Sequence, residues 1–280
     1  MAGCRNCEEK AGQVQSDGRK AKMIQEMTFR KKNGMKIKGR LYLPDVKRGE
    51  PEEKEKLPLV IFSHGFGSNF RELEHHGAGF AESGICCLFF DFCGGGMQSQ
   101  SDGTMEEMTV ESECADLETV LAVAAKLDWV DPEKIFLQGE SMGGLVSALV
   151  AARRPRDVKA LILWYPAFSI PEDAQRRYMT GETQVFGITL GKAFDEQARK
   201  IAVYEKVAEY PGPVLLIHGT EDPIVPISCS EKALSAYREA RLIRMPGAGH
   251  GYEGADSAAA REHSIAFIRE RCSPERRKYL

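Results

Sequence analysis

An α/β fold with a mostly parallel central sheet is predicted from three observations. Continuous apolar runs recur along the chain, stretches with helical periodicity lie between them, and a glycine-flanked serine stands where one run meets the helix after it. The runs fall at 57–62, 85–90, 135–137, 158–164 and 213–218. A strand covered on both faces is apolar throughout, because neither side meets water. With 280 residues, 42% hydrophobic and 28% charged, the chain can bury one large core.

Taken in order, residues 1–22 are polar and charged, with little apolar periodicity, and read as a flexible N-terminal extension. Residues 23–31 and 35–43 alternate as two strands around Asn33-Gly34, a hairpin signal that opens the sheet. Pro44 ends it, and the charged segment through Lys56 reads as a solvated loop. A helix is expected over 69–83, a strand over 85–90, a turn at Gly94-Gly95-Gly96 and a helix over 110–127. The strand at 135–137 runs into Gly139-Glu140-Ser141-Met142-Gly143-Gly144 and then an apolar helix. After the strand at 158–164 the alternation breaks. Residues 167–210 form a long excursion with an amphipathic stretch at 194–207, read as a small cap inserted over the pocket. The sheet resumes at 213–218, followed by a helix at 230–239, a strand at 241–245 and a closing helix at 256–271. Residues 23–280 thus form one domain carrying the cap.

A formal charge of −3, from 38 basic and 41 acidic residues, gives no field suited to nucleic acid or an anionic membrane. The expected partner is a small-molecule ester, with no nucleic acid and no membrane; a homodimer is left open. The N-terminus lacks a signal peptide's apolar core and no run is long enough to span a bilayer, so a cytoplasmic location is expected. Eight cysteines make no dense disulfide framework. Most read as buried thiols, and Cys4-Arg5-Asn6-Cys7 as part of a loose tail.

The chemistry lies at strand ends. Gly139-x-Ser141-x-Gly143 between a strand and a helix is a nucleophile elbow, whose turn strains the serine backbone and projects its hydroxyl into open space. A serine hydroxyl is a poor nucleophile near neutral pH, so it needs a base oriented by an acid. Asp222 in Gly219-Thr220-Glu221-Asp222-Pro223 and His250 in Gly247-Ala248-Gly249-His250-Gly251 follow core strands and supply both. His64, His75, His76, His218 and His263 are set aside because His250 alone follows the last strand in a glycine-rich loop. The order Ser, Asp, His is that of an α/β-hydrolase. His64-Gly65-Phe66-Gly67 follows a strand expected beside the elbow strand, so the Phe66 and Met142 N–H groups are the expected oxyanion donors. Losing one such donor costs about 3 kcal/mol of transition-state stabilisation. Glu140 reads as a solvated or loop-bonded neighbour, and the glycine run has no phosphate-cradling spacing. No metal and no organic cofactor are expected.

From residue 23 onward the chain resembles a serine esterase of the α/β-hydrolase superfamily and is similar to the bacterial cinnamoyl (feruloyl) esterases. The similarity rests on His64-Gly65-Phe66, the loop from Asp91-Phe92 to Ser101-Asp102-Gly103, the elbow, Tyr165-Pro166-Ala167, Val203-Tyr204-Glu205, His218 to Asp222, and Gly247 to His250. It implies hydrolysis of esters of hydroxycinnamic acids. In that family an Asp, a Gln and a Tyr of the cap grip the phenolic end of the acyl group. Here Asp173 matches the first, Thr180 stands where the Gln would be, and Phe194 replaces the Tyr. A phenylalanine cannot hydrogen-bond a phenol, so a more apolar acyl group becomes plausible.

The expected activity is therefore that of a serine carboxylic ester hydrolase working through an acyl-enzyme. Its rate should fall as the His250 imidazole protonates; a flat rate down to pH about 4 would contradict that role. A peptidase or amidase of the same fold, and a non-catalytic binding protein on it, are the rival readings.

Overall fold

The computed structural model describes residues 7–9, 13–17, 19–44 and 56–273, with side chains for 23–44 and 56–273. The charged loop expected at 45–55 and Cys4 of the CxxC pair lie outside the described residues. Strands β1 (Cys7–Glu9) and β2 (Gln13–Asp17) lead into the hairpin of β3 (Arg19–Arg30) and β4 (Lys36–Leu43). The described parts of 1–22 are thus strands, not the expected loose extension, because the outer edge of β3 offers backbone groups with which further strands pair. Gly34 turns the hairpin at φ 90° and its N–H donates to Lys31 O.

The parallel sheet begins with β5 (Leu57–Ser63). The single helix expected at 69–83 is instead α1 (Phe70–Leu73), a 3-10 turn (Glu74–His76) and α2 (Gly77–Glu82). The break is the 3-10 turn at Glu74–His76, and the helix resumes at Gly77, where a Cβ would lie 2.7 Å from the Tyr42 ring, so only a glycine lets the chain pass that side chain so closely. Then follow β6 (Cys86–Phe90), α3 (Val110–Ala124), β7 (Val130–Glu140), α4 (Ser141–Arg153) and β8 (Ala160–Trp164). The excursion holds α5 (Ile170–Thr180), a small hairpin of β9 (Gln184–Val185) and β10 (Ile188–Thr189), α6 (Lys192–Ala198) and α7 (Val203–Val207). The stretch expected to be one amphipathic unit at 194–207 is two helices. The chain closes with β11 (Val214–Gly219), α8 (Ser228–Ala236), β12 (Ala240–Met245) and α9 (Gly254–Cys272).

Among the described residues ten strands form one sheet, in the order β1-β3-β4-β6-β5-β7-β8-β11-β12 with β2 also on β3. All pairs from β6 to β12 are parallel, and β4 joins β6 antiparallel. Side chains alternate between the two faces. Leu59, Ile61, Leu137, Leu161, Leu163 and Leu216 pack with α3, α4 and α8 on one face. Val60, Phe62, Phe136, Ile162, Leu215 and Ile217 pack with α2 and α9 on the other. This burial fixes the register that aligns the strand ends. Among the described residues no helix is long and apolar enough to cross a membrane.

Candidate active site

Register sets the site's floor. Ser63 pairs with Gly139, so the loop after β5 and the elbow after β7 leave the sheet side by side. Ser141 has φ 50°, the strained left-handed backbone that lifts its side chain from the turn. The elbow closes tightly because Gly143 lacks a side chain: a Cβ there would lie 2.3 Å from Ser63 O and 2.4 Å from His64 O. Met142 belongs to the first turn of α4, where N–H groups have no partner within the helix and the dipole favours negative charge. Gly65 faces the other side of the serine, its missing Cβ 3.3 Å from Ser141 Cβ.

The loops after β11 and β12 bring Asp222 and His250 to the same point. His250 Nδ1 lies 2.8 Å from Asp222 Oδ2, and Nε2 lies 3.1 Å from Ser141 Oγ. A carboxylate only accepts, so Nδ1 carries the proton and the Nε2 lone pair faces the serine hydroxyl. Asp222 Oδ1 accepts from Ile224 N and Val225 N, each at 2.9 Å. Burial pushes the Asp222 carboxyl up, yet bonds from His218, His250 and these two N–H groups outweigh it and hold the group well below the usual carboxylate range.

His218 is a structural histidine. Its Nε2–H points at Val225 O (2.9 Å) and Asp222 Oδ2 (3.3 Å), and Ser230 Oγ donates to its Nδ1 at 2.7 Å. It thereby fixes the loop that carries the acid. His64 is buried, accepts from Phe92 N at 3.2 Å through Nε2 and donates to its neighbour Gly65 O at 2.8 Å through Nδ1. Burial lowers its pKa, which keeps it neutral, a brace for the oxyanion loop rather than a base.

Three features differ from the sequence expectations. Glu140 is loop-bonded rather than solvated, through the Gly65 N–H, and it has a partner the sequence did not suggest: the Tyr165 hydroxyl donates to its Oε2 at 2.7 Å. Burial raises its pKa, opposed by the bonds from Tyr165 and the Gly65 N–H. Tyr165 itself adopts φ 35°, and its ring centroid lies 4.6 Å from that of His250. The glycine run is more than a turn. Gly95 O accepts from Gly67 N at 3.2 Å, and a Cβ on Gly96 would lie 1.8 Å from Ser68 O, so the run backs the oxyanion loop. Lastly, Thr180 is exposed at the end of α5, donating to Arg176 O at 3.1 Å, and does not line the cleft. Its hydroxyl is taken up by the carbonyls of its own helix, as threonine's short side chain favours.

A cleft of about 370 Å³ opens above the serine. Ser141, Phe66, Met142, Asp173 and Phe194 line it; His250 and Asp222 lie outside the lining and reach the cleft through the hydrogen bond to Ser141, whereas Thr180 belongs to neither group. Its remaining walls are mainly apolar: Ile170, Val185, Leu190 and Ile224, with Phe186 at the mouth. Gln184, Arg176, Arg177 and Glu182 supply polar groups. Sequence reasoning missed Tyr165, Gln184, Phe186 and the two backbone donors to Asp222. Of these, Tyr165 had a signal, a Tyr-Pro step directly after a core strand.

Comparison with known proteins agrees with this architecture. Residues 54–200 match the model of a family described as serine aminopeptidase, S33, and residues 195–279 match one described as TAP-like protein. An uncharacterized protein of Mycobacterium tuberculosis is 30% identical over 168 residues, covering 60% of this chain and 53% of that protein. The chain thus spans about half the length of that curated relative. Est1E from Butyrivibrio proteoclasticus with ferulic acid bound is 28% identical with TM-score 0.73, over 85% of this chain and 96% of that one. A monoacylglycerol lipase of Paleococcus ferrophilus, 17% identical with TM-score 0.64 over 78% of this chain and 98% of its own, shares the fold.

Proposed function

The chain belongs to the serine aminopeptidase family of α/β-hydrolases, and from that premise we propose that it is a serine carboxylic ester hydrolase acting through an acyl-enzyme. The observation that carries this reading is His250 bridging Ser141 Oγ at 3.1 Å and Asp222 Oδ2 at 2.8 Å beneath a largely apolar cleft. Ser141 Oγ attacks the ester carbonyl while His250 Nε2 takes its proton. The imidazolium is stabilised by the ionised Asp222. The Phe66 and Met142 N–H groups bind the oxyanion. His250 then protonates the departing alcohol, and water, activated by the same imidazole, releases the acid and restores Ser141.

The acyl group we infer is aromatic or otherwise apolar, of the feruloyl type or related. Support comes from the likeness to Est1E with ferulic acid bound and from Phe66, Phe194 and Ile170 in the cleft wall. A peptidase or amidase reading is favoured by the family's description. Against it, the carboxylates of Asp173 and Glu182, which could bind a substrate amine, each have Arg176 within 3.7 Å and 3.3 Å.

Hydrolysis of methyl ferulate, a short-chain aliphatic nitrophenyl ester and the matched ferulic amide by wild type and Ser141→Ala separates these readings. The expected outcome is ester turnover by wild type, loss of at least about 10³-fold in Ser141→Ala, and little amide cleavage. Faster cleavage of the amide than of its ester would favour the amidase. Turnover of the aliphatic ester alone would keep the serine mechanism and displace the feruloyl specificity.

A further inference from the structure

The hairpin of β9 and β10 turns on Phe186 and Gly187, with φ of 50° and 78°. Val185 pairs with Ile188 across this two-residue loop. Positive φ at both loop positions is the signature of a type I′ turn, in which Asn-Gly is preferred because a β-substituted side chain strains the left-handed region. A phenylalanine contradicts the local rule, and at 72% exposure it gains no core in return. Local rules are broken in this manner where a side chain serves a ligand.

The surroundings of Phe186 say which ligand. Its ring centroid lies 6.4 Å from that of Phe66, whose N–H faces the oxyanion in the mechanism above. A Cβ on Gly67 would come within 3.0 Å of Ile188 Cδ1, so the hairpin rests directly on the oxyanion loop. Phe186 lines the cleft that holds Ser141, and so does Ile224, a second large apolar side chain left 44% exposed. Two such side chains held in water at one mouth remove apolar surface from water only when something apolar lies between them.

We propose that Phe186 is the apolar lip of the acyl site: it selects esters whose acyl chain is long enough to reach the mouth, where the chain is covered by Phe186 and Ile224. This rests on the ester-hydrolase reading, and the test separates the two. Nitrophenyl acetate and nitrophenyl octanoate share a leaving group and differ only in acyl length. Phe186→Asn restores the residue the turn prefers, so its Tm should rise by about 2–4 °C. Its octanoate-to-acetate ratio of kcat/KM should fall about 10-fold relative to wild type, and Phe186→Leu should recover most of that ratio. An unchanged ratio in Phe186→Asn, or an equal loss on both esters, would overturn the lip while leaving the hydrolase standing. Absence of turnover of either ester by wild type would overturn the hydrolase reading and the lip with it.

Discussion

Asp222 is the most constrained residue of the site. Its buried carboxylate accepts from His250, His218 and the N–H groups of Ile224 and Val225, which keeps it ionised and fixes which nitrogen of His250 carries the proton. Asp222→Asn would present an amide that can donate to Nδ1 and stabilise the wrong tautomer. The expected loss in kcat is about 10⁴-fold with KM little changed, and a loss under about 10-fold in steady-state rates would contradict the assignment. His76 governs a separate property. It is buried against Trp164 with ring centroids 5.0 Å apart, and burial, followed by the nearby charges of His75 and Arg261, lowers its pKa to about 3. The unfolded chain therefore binds a proton at His76 at a pH where the native state does not. Stability is undiminished above about pH 6.5 and is lost as pH falls from there toward 3. Asp222, depressed in the native state, withdraws its own contribution only lower, below about pH 4. The urea midpoint of wild type should drop more between pH 7 and 4 than that of His76→Gln; equal drops would rule this out.

At the scale of elements, two constructions hold the site in shape. The elbow and the oxyanion loop touch through backbone alone at Gly143, so Gly143→Ala forces them apart. Ester turnover should fall by at least about 10²-fold, since a displaced oxyanion donor alone costs that much. Wild-type rates in the soluble, folded variant would contradict this. The insertion is fastened differently. Arg177 on α5 donates to Asp195 on α6 through Nη2 at 2.8 Å and Nε at 3.2 Å, with both side chains nearly buried. Asp195→Ala leaves a buried guanidinium unpaired, a loss of about 3–5 kcal/mol. Much of it should appear locally, as faster proteolysis within 170–200 at unchanged cleavage of the sheet. These internal fixings were poorly legible in the sequence. The periodicity of 69–83 marked a helix, but the close passage of Gly77 over the Tyr42 ring depends on a strand distant in sequence. The glycine run likewise had no motif spacing, because its partner is the backbone of Gly67 and Ser68. Thr180 was matched by alignment with the family's cap, whereas which residues of this stretch face the cleft is set by how α5 packs on α6.

For the molecule as a whole, the parallel sheet was legible because strands buried on both faces must be apolar throughout, as 59–62, 86–90, 160–164 and 214–217 are. Ser141, Asp222 and His250 were legible for a related reason: each follows a strand of the parallel sheet in a glycine-marked loop, the first two after buried apolar strands and His250 after the half-exposed edge strand β12, so chain order brought them to one edge. The strands at the N-terminal edge were not legible, since pairing there runs through backbone groups that leave no apolar pattern. The arrangement aims the lone pair of His250 Nε2 at the hydroxyl of Ser141, which lines the cleft, and that claim is open to direct test. The measurement is the mass and peptide position of the adduct formed by a fluorophosphonate probe near neutral pH, in wild type, Ser141→Ala and His250→Ala. The expected result is a single adduct on Ser141 in wild type, none in Ser141→Ala, and labelling slowed at least about 10³-fold in His250→Ala. Equal labelling of Ser141→Ala, or of His250→Ala at the wild-type rate, would contradict the triad.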